Sequence, residues 1–351
     1  MRRRIDSTAA VFGIALLVAG AVSAGAANSL TVTGAGATFP YPLYSKWFYE
    51  YSNSHPGVNF NYQSIGSGGG IRQITAGTVD FGASDAPMTD DEMAKLPGPI
   101  LHIPTAIGAV AVVYNVQGAG SGLKLAQDVL VDIYLGKITR WSDPRIASLN
   151  PGIRLPGADI VVATRSDGSG TTDIFTNYLS TVSPQWRAKV GRGKSIRWPV
   201  GLGGKGNEGV AGLVKQTPGA IGYVELAYAK QNRMAMAALK NREGTFVLPS
   251  IEATSAAAAG AARTMPADFR VSLVDAPGKD SYGICGMTWL LVYANQKDRA
   301  KGKALVSFLK WAIRDGQKIG PTLDYAPLPK PVVAMVDKSI RKISYVGKSL
   351  Y

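Results

Sequence analysis

Apolar and polar positions along the chain switch between two periods. Val58 to Gln63 alternates in twos, which predicts a strand with one face covered. Asp159 to Thr164 carries the unbroken run Ile160-Val161-Val162-Ala163, and Ser281 to Asn295 carries a longer one, both in keeping with strands buried on two faces. Between such runs the period changes to three and four. Val129, Leu130, Ile133 and Tyr134 share a helical face, as do Ile174, Phe175, Tyr178, Leu179 and Val182, and again Leu305, Phe308, Leu309 and Ala312. The alanine-rich stretch Ala253 to Ala262 predicts a helix with one interruption. Short strands alternating with helices predict an α/β fold with mainly parallel sheets.

Leu101 to Val116 and Gly283 to Asn295 stay extended and apolar for unusually long, as chain segments that cross between domains would. At 351 residues the chain exceeds one ordinary core. Leaving the first domain near residue 113 and returning near 285 gives lobe I from residues 29–113 plus 286–351 and lobe II from residues 114–285. Two crossing strands then form a hinge, an architecture that can close on a ligand.

The N-terminus changes the picture of where the protein works. Arg2, Arg3 and Arg4 precede a short apolar run from Ala9 to Val22, followed by small residues, which predicts a cleaved signal peptide over residues 1–26 and a periplasmic product. The single cysteine, Cys285, lies far from that site, so neither a lipid anchor nor an internal disulfide is expected, and its apolar neighbours suggest a buried small hydrophobe. The formal charge of +14 falls to +12 when Arg2, Arg3, Arg4 and Asp6 leave with the leader. Lys and Arg are scattered along the chain, so a solvated basic surface is expected and no nucleic-acid partner.

Four segments place glycine and a hydroxyl residue just ahead of a helical pattern: Gly34 to Pro40, Gly66 to Gly70, Phe81 to Pro87 and Arg165 to Thr172. A helix N-terminus offers unpaired N–H groups and a positive dipole end, glycine lets an anion approach, and Ser or Thr adds a hydroxyl donor. Any one segment taken alone is better read as an ordinary cap and turn. Four in one chain, with Arg165 and Asp85 at hand, favour an oxyanion site. Asp167 is placed to orient Arg165; the bland alternative is a surface arginine beside a solvated aspartate.

These segments carry a resemblance. With Asp132 to Ile138, Trp198 to Asn207, Gly219 to Glu225 and Asp324 to Pro329, they make the mature chain resemble the periplasmic phosphate-binding proteins of the phosphate-specific ABC transporter, which are type II periplasmic binding proteins. The resemblance implies two lobes, each a mixed, mainly parallel sheet flanked by helices, with inorganic phosphate as ligand and an inner-membrane ABC permease as partner. It further implies Thr38, Phe39, Ser67, Arg165, Ser169, Gly170 and Thr171 as donors, Asp85 as acceptor, and a monomer without cofactor or metal. Thr164 stands where relatives can carry a base, and Gly68 where a second serine can occur. Chemistry fits the ligand independently. Phosphate near neutral pH keeps a proton that one carboxylate can accept, whereas sulfate has none to offer.

Other motifs fail. Gly201 to Gly206 matches a dinucleotide fingerprint, but Pro199 interrupts the preceding strand, which leaves a structural loop. Gly193-Lys194-Ser195 lacks the first glycine of a P-loop. His55 and His102 are the only imidazoles, one before Pro56 and one in an apolar strand, and no cluster has metal spacing. Trp47, Trp198, Trp289 and Trp311 are expected in the packing. The chain is therefore expected to bind rather than to catalyse. The competing expectations are a periplasmic phosphomonoesterase using the same anion pocket, and a sensor or adhesion module on the same fold.

Overall fold

A computed structural model describes residues 29–351. The expected signal peptide and its cleavage site lie outside the described residues. The elements that position the site are β1 (Leu30–Gly36), α1 (Tyr41–Ser54), β2 (Val58–Ser64), α2 (Ser67–Ala76), β3 (Phe81–Ser84), β4 (Ile100–Tyr114), β5 (Val161–Arg165), α3 (Gly170–Val182), β6 (Leu202–Gly204), α4 (Gly206–Gln216), β7 (Ala220–Glu225), β8 (Cys285–Tyr293), α5 (Arg299–Ala312) and α6 (Lys330–Ile340). The strand order is β2-β1-β3-β8-β4-β7-β5-β6.

One strand joins two lobes. Residues 100–109 of β4 pair antiparallel with β8, and Val110 to Tyr114 pair antiparallel with β7, so β4 leaves one sheet and enters the next without a break. Its thirteen residues from His102 to Tyr114 are all buried, which explains the unbroken apolar run. The second crossing is the segment leading into β8, where Val110 N–H donates to the Ile284 carbonyl at 2.8 Å. On one side β1 runs parallel to β2 and β3; on the other β5 runs parallel to β6 and β7. The lobes are closed on each other: Gly68 N–H donates to the Gly168 carbonyl at 2.8 Å. Ion pairs Lys194–Glu92, Arg270–Asp90 and Lys230–Asp324, at 2.8, 2.6 and 2.6 Å, span the rim.

Helical faces follow the predicted stripes. Helix α1 buries Leu43, Tyr44, Trp47, Phe48 and Tyr51, and α5 buries Leu305, Phe308, Leu309 and Ala312 against it. Trp47 and Trp289 are buried; Trp198 and Trp311 pack partly buried against the same core. Two expectations need correcting. The helix Ile251–Ala261 runs unbroken through Gly260, because its opposite face of Ala253, Ala257 and Ala258 is packed. The run Gly201 to Gly206 is no mere loop: it supplies the edge strand β6 and the start of α4.

Burial also settles the imidazole in β4. His102 Nε2 accepts the Met88 N–H at 3.0 Å, and burial, then the Arg270 charge, push its pKa from 6.5 down to about 4. The folded protein thus binds fewer protons than the unfolded chain between those values. The contribution is complete above pH 6.5 and is lost as pH falls toward 4, by at most about 3 kcal/mol. His102→Gln is expected to flatten this acid limb, measured as the denaturation midpoint at pH 7 and pH 4.5.

Candidate functional site

Parallel sheets present their ligands at the carboxyl ends of strands, and six strand ends meet between the lobes. Strands β1, β2 and β3 end just before Thr38, Ser67 and Asp85; β5, β6 and β7 end at Arg165, just before Asn207, and at Glu225. The starts of α1, α2 and α3 point their unpaired N–H groups at the same place. Thr38, Ser67, Asp85, Arg165, Ser169 and Thr171 are all at most 5% exposed, and Phe39 is fully buried.

The contacts form a continuous cage. Asn207, from the first turn of α4, donates Nδ2–H to Thr38 Oγ1 at 2.8 Å and to Thr171 Oγ1 at 3.2 Å, bridging the lobes. Thr38 Oγ1 also accepts the Asn207 backbone N–H, and Thr171 Oγ1 accepts Arg165 Nη1–H at 3.3 Å. With both lone pairs engaged, each threonine hydroxyl has its proton free to donate. Ser169 caps α3 by accepting Thr172 N–H at 3.0 Å, which likewise spares its proton. Thus the ordinary cap and the candidate donor are the same residue.

Arg165 is held by a fork. Its Nε–H and Nη2–H donate to Asp167 at 2.7 and 2.6 Å, and with the Thr171 contact three of five N–H groups are engaged. Burial raises the Asp167 pKa, but the hydrogen bonds and charge of Arg165 outweigh it and hold the carboxyl below the usual range. Asp167 also accepts Gly206 N–H at 3.0 Å, so the glycine-rich run steadies the arginine's partner. Opposite sits Gly66 at φ +84°, where a Cβ would lie 2.2 Å from Asp167 Oδ2.

Asp85 departs from the expected pattern. It follows β3 directly and starts no helix; the next helix, Asp90–Ala94, begins only after the cap Thr89. Its Oδ1 accepts Thr288 Oγ1–H at 2.9 Å, from a bulge in β8 at Thr288/Trp289 that turns the hydroxyl toward the cleft. Ser67 Oγ accepts Asp85 N–H at 3.1 Å and donates to Oδ2 at 3.3 Å. Burial pushes the Asp85 pKa from 3.8 up to about 7, against the lowering effects of Thr288, Arg165 and Ser67.

Several contributors escaped the sequence reading. Tyr228 donates its hydroxyl to the Thr38 carbonyl at 2.6 Å across the lobes. In a trans peptide the carbonyl and the next N–H point opposite ways, so this grip aims the Phe39 N–H at the cage. Tyr325 donates its hydroxyl to the Phe39 carbonyl at 2.7 Å. Tyr223 accepts or donates with Thr172 Oγ1 at 2.6 Å and receives Arg165 N–H at 3.2 Å. Glu225 is fully buried, with one oxygen accepting Ala227 N–H at 2.7 Å, the other unpartnered, and burial holding its pKa well above the usual carboxylate value. Cys285 is buried, its thiol pushed up to about 12 by burial.

With this geometry in hand, comparison with known proteins is decisive. A model described as the PBP superfamily domain matches residues 21–315. The phosphate-binding protein PstS of Xylella fastidiosa strain Temecula1 is 47% identical over 316 residues, covering 90% of this chain and 86% of that one. The phosphate-binding protein PstS of Pasteurella multocida is 48% identical over 307 residues, covering 87% and 88%. The chain belongs to the PstS family. Among solved structures, a phosphate-binding protein from Stenotrophomonas maltophilia superposes with a TM-score of 0.67, at 21% identity, over 88% of this chain and 94% of that one, a likeness of fold. The fold of this PstS-family protein is accordingly the two-lobed type II one expected from its sequence. PstS-family proteins are periplasmic substrate-binding proteins of ABC transporters.

Proposed function

We propose that this protein captures inorganic phosphate between its lobes and delivers it to an inner-membrane ABC permease. One observation carries the reading: a buried cage rich in N–H and O–H donors contains one forked cation, held by Asp167, and a second carboxylate, Asp85, to serve as acceptor. Thr38, Ser169 and Thr171 donate hydroxyls; Phe39, Ser67, Gly170 and Thr171 donate backbone N–H, the Ser67 hydroxyl being turned to Asp85; Arg165, steadied by Asp167, donates the fork. Asp85 takes the ion's own proton. The moving units are residues 29–113 with 286–351, and residues 114–285, and the protein works as a monomer exported to the periplasm.

Binding without turnover is the better reading of the same residues. Acyl or phosphoryl transfer through Ser67 or Ser169 needs a base or a metal. His102 spends Nε2 on Met88, and His55 stacks on Tyr51 at 3.9 Å between ring centres. Titration calorimetry of ligand-stripped protein should give one tight site for phosphate, and native mass spectrometry a retained mass of one phosphate. No heat at submillimolar phosphate would contradict the proposal, and hydrolysis of a chromogenic phosphate ester that depends on Ser67 would replace it.

Closure itself is testable at Gly170. A Cβ there would lie 2.5 Å from Ser67 Oγ and 2.6 Å from Asp85 Oδ2, both across the cleft. Gly170→Ala should leave each lobe folded while wedging them apart. The expected result is a phosphate affinity weaker by about five-fold to 150-fold, from an overpacking cost of about 1–3 kcal/mol. Ligand-induced compaction in small-angle scattering should shrink in parallel.

A further inference from the structure

Charge is unevenly spread. Residues 297–351 hold twelve Lys and Arg against four Asp, a net +8 in a chain whose total is +14. The acids there are occupied: Asp298 caps α5, Asp315 pairs with Lys318, Asp324 with Lys230, and Asp337 is shared by Arg341, Arg314 and the Tyr351 hydroxyl. Arg299, Lys303 and Lys310 lie on one face of α5 at positions i, i+4 and i+11; Lys338 is in the last turn of α6 and Lys342 just beyond its cap; Lys348 sits in the terminal hairpin. None of these six makes an ion pair among the described residues.

The three elements that carry them are packed together. Lys310 and Arg341 lie 4.0 and 3.7 Å from the Tyr351 ring centre, Ser349 donates to the Arg341 carbonyl, and a Cβ at Gly302 would touch Leu350. At its edge the hairpin formed by β9 (Ser344–Tyr345) and β10 (Lys348–Ser349) turns through Val346 and Gly347 at φ +48° and +72°. That turn favours Asn-Gly; a β-branched residue in the left-handed region costs about 1–2 kcal/mol. Val346 is nevertheless there and 80% exposed, so neither folding nor hydration accounts for it.

We propose that this face of the first lobe docks on a bilayer of anionic phospholipid, the lysines engaging phosphate headgroups and the Val346 tip entering the interface. Unpaired cations on long stems supply the attraction, and a projecting apolar tip beside Tyr345 suits a fluid interface. An acidic protein would be better matched by a recess or by cations already fixed in pairs. The surface shares no residue with the cleft, so it stands apart from phosphate capture.

Co-sedimentation of the purified protein with phosphatidylglycerol-containing vesicles, against pure phosphatidylcholine, tests this. Binding should favour the anionic vesicles about ten-fold or more in about 0.05 M salt and fade by about 0.5 M. A variant carrying Lys303→Glu, Lys342→Glu and Lys348→Glu should lose at least about ten-fold of that binding, and Val346→Asp a smaller part. Unchanged phosphate binding in both would show the fold intact. Equal binding to both vesicles, undiminished binding by the triple variant, or binding only where permease is reconstituted would overturn the proposal; the last would assign the face to a protein partner.

Discussion

Asp85→Asn is expected to turn a phosphate-selective protein into one that also takes sulfate. In the closed cage the proposed acceptor, Asp85, has its oxygens fixed by Thr288 and Ser67. Against fully ionised sulfate its charge meets oxygen lone pairs with no proton between them. A site built on one such hydrogen bond discriminates by roughly 10⁴ to 10⁵, and the asparagine amide converts the repulsion into a donor. Calorimetry should show sulfate binding in the variant with phosphate binding retained, though weakened. Because burial brings the Asp85 pKa to about 7, acidifying wild type below that value should partly imitate the substitution, as the aspartate then carries its own proton. If the variant still ignores sulfate, the carboxylate does not set selectivity.

Arg165→Ala should weaken phosphate binding by roughly 10² to 10³. The affinity loss is that of the forked cation; separately, Asp167, only 14% exposed at its side chain, is left without its partner, and breaking such a pair costs about 3–5 kcal/mol of folding stability. Adding Asp167→Asn should restore part of the thermal stability but little affinity. Arg165→Lys keeps the charge and should recover only part of the binding, because an ammonium cannot hold Asp167 by two parallel bonds and still reach Thr171. Equal affinities for Lys and Ala variants would place the arginine outside the ligand shell.

What the sequence disclosed follows from periodicity. The runs around β4 and β8 were legible as crossings because a strand covered on both faces has no polar beat, and the stripes of α3 and α5 were legible because each buries one side. Thr38, Ser67 and Ser169 stood out by preceding such stripes. Residues outside that logic stayed hidden. Asn207 follows a glycine-rich run dismissed for failing a cofactor motif; a polar residue opening a helix just after a strand was the available signal. Tyr228 lies in a six-residue helix too short to show a period, and Thr288 is turned inward by a bulge that no residue pattern announces. Asp85 was found for its glycine and hydroxyl neighbours, although the helix expected after it is absent.

The tyrosine grip on the Thr38 carbonyl has a bearing on release. Tyr228 approaches from the opposite lobe, so the amide beside it is aimed only while the two halves are shut. Tight holding is therefore assembled by motion and dismantled by it. A membrane partner need not compete for the anion; prising the halves apart scatters the donors and leaves a weak, rapidly exchanging site.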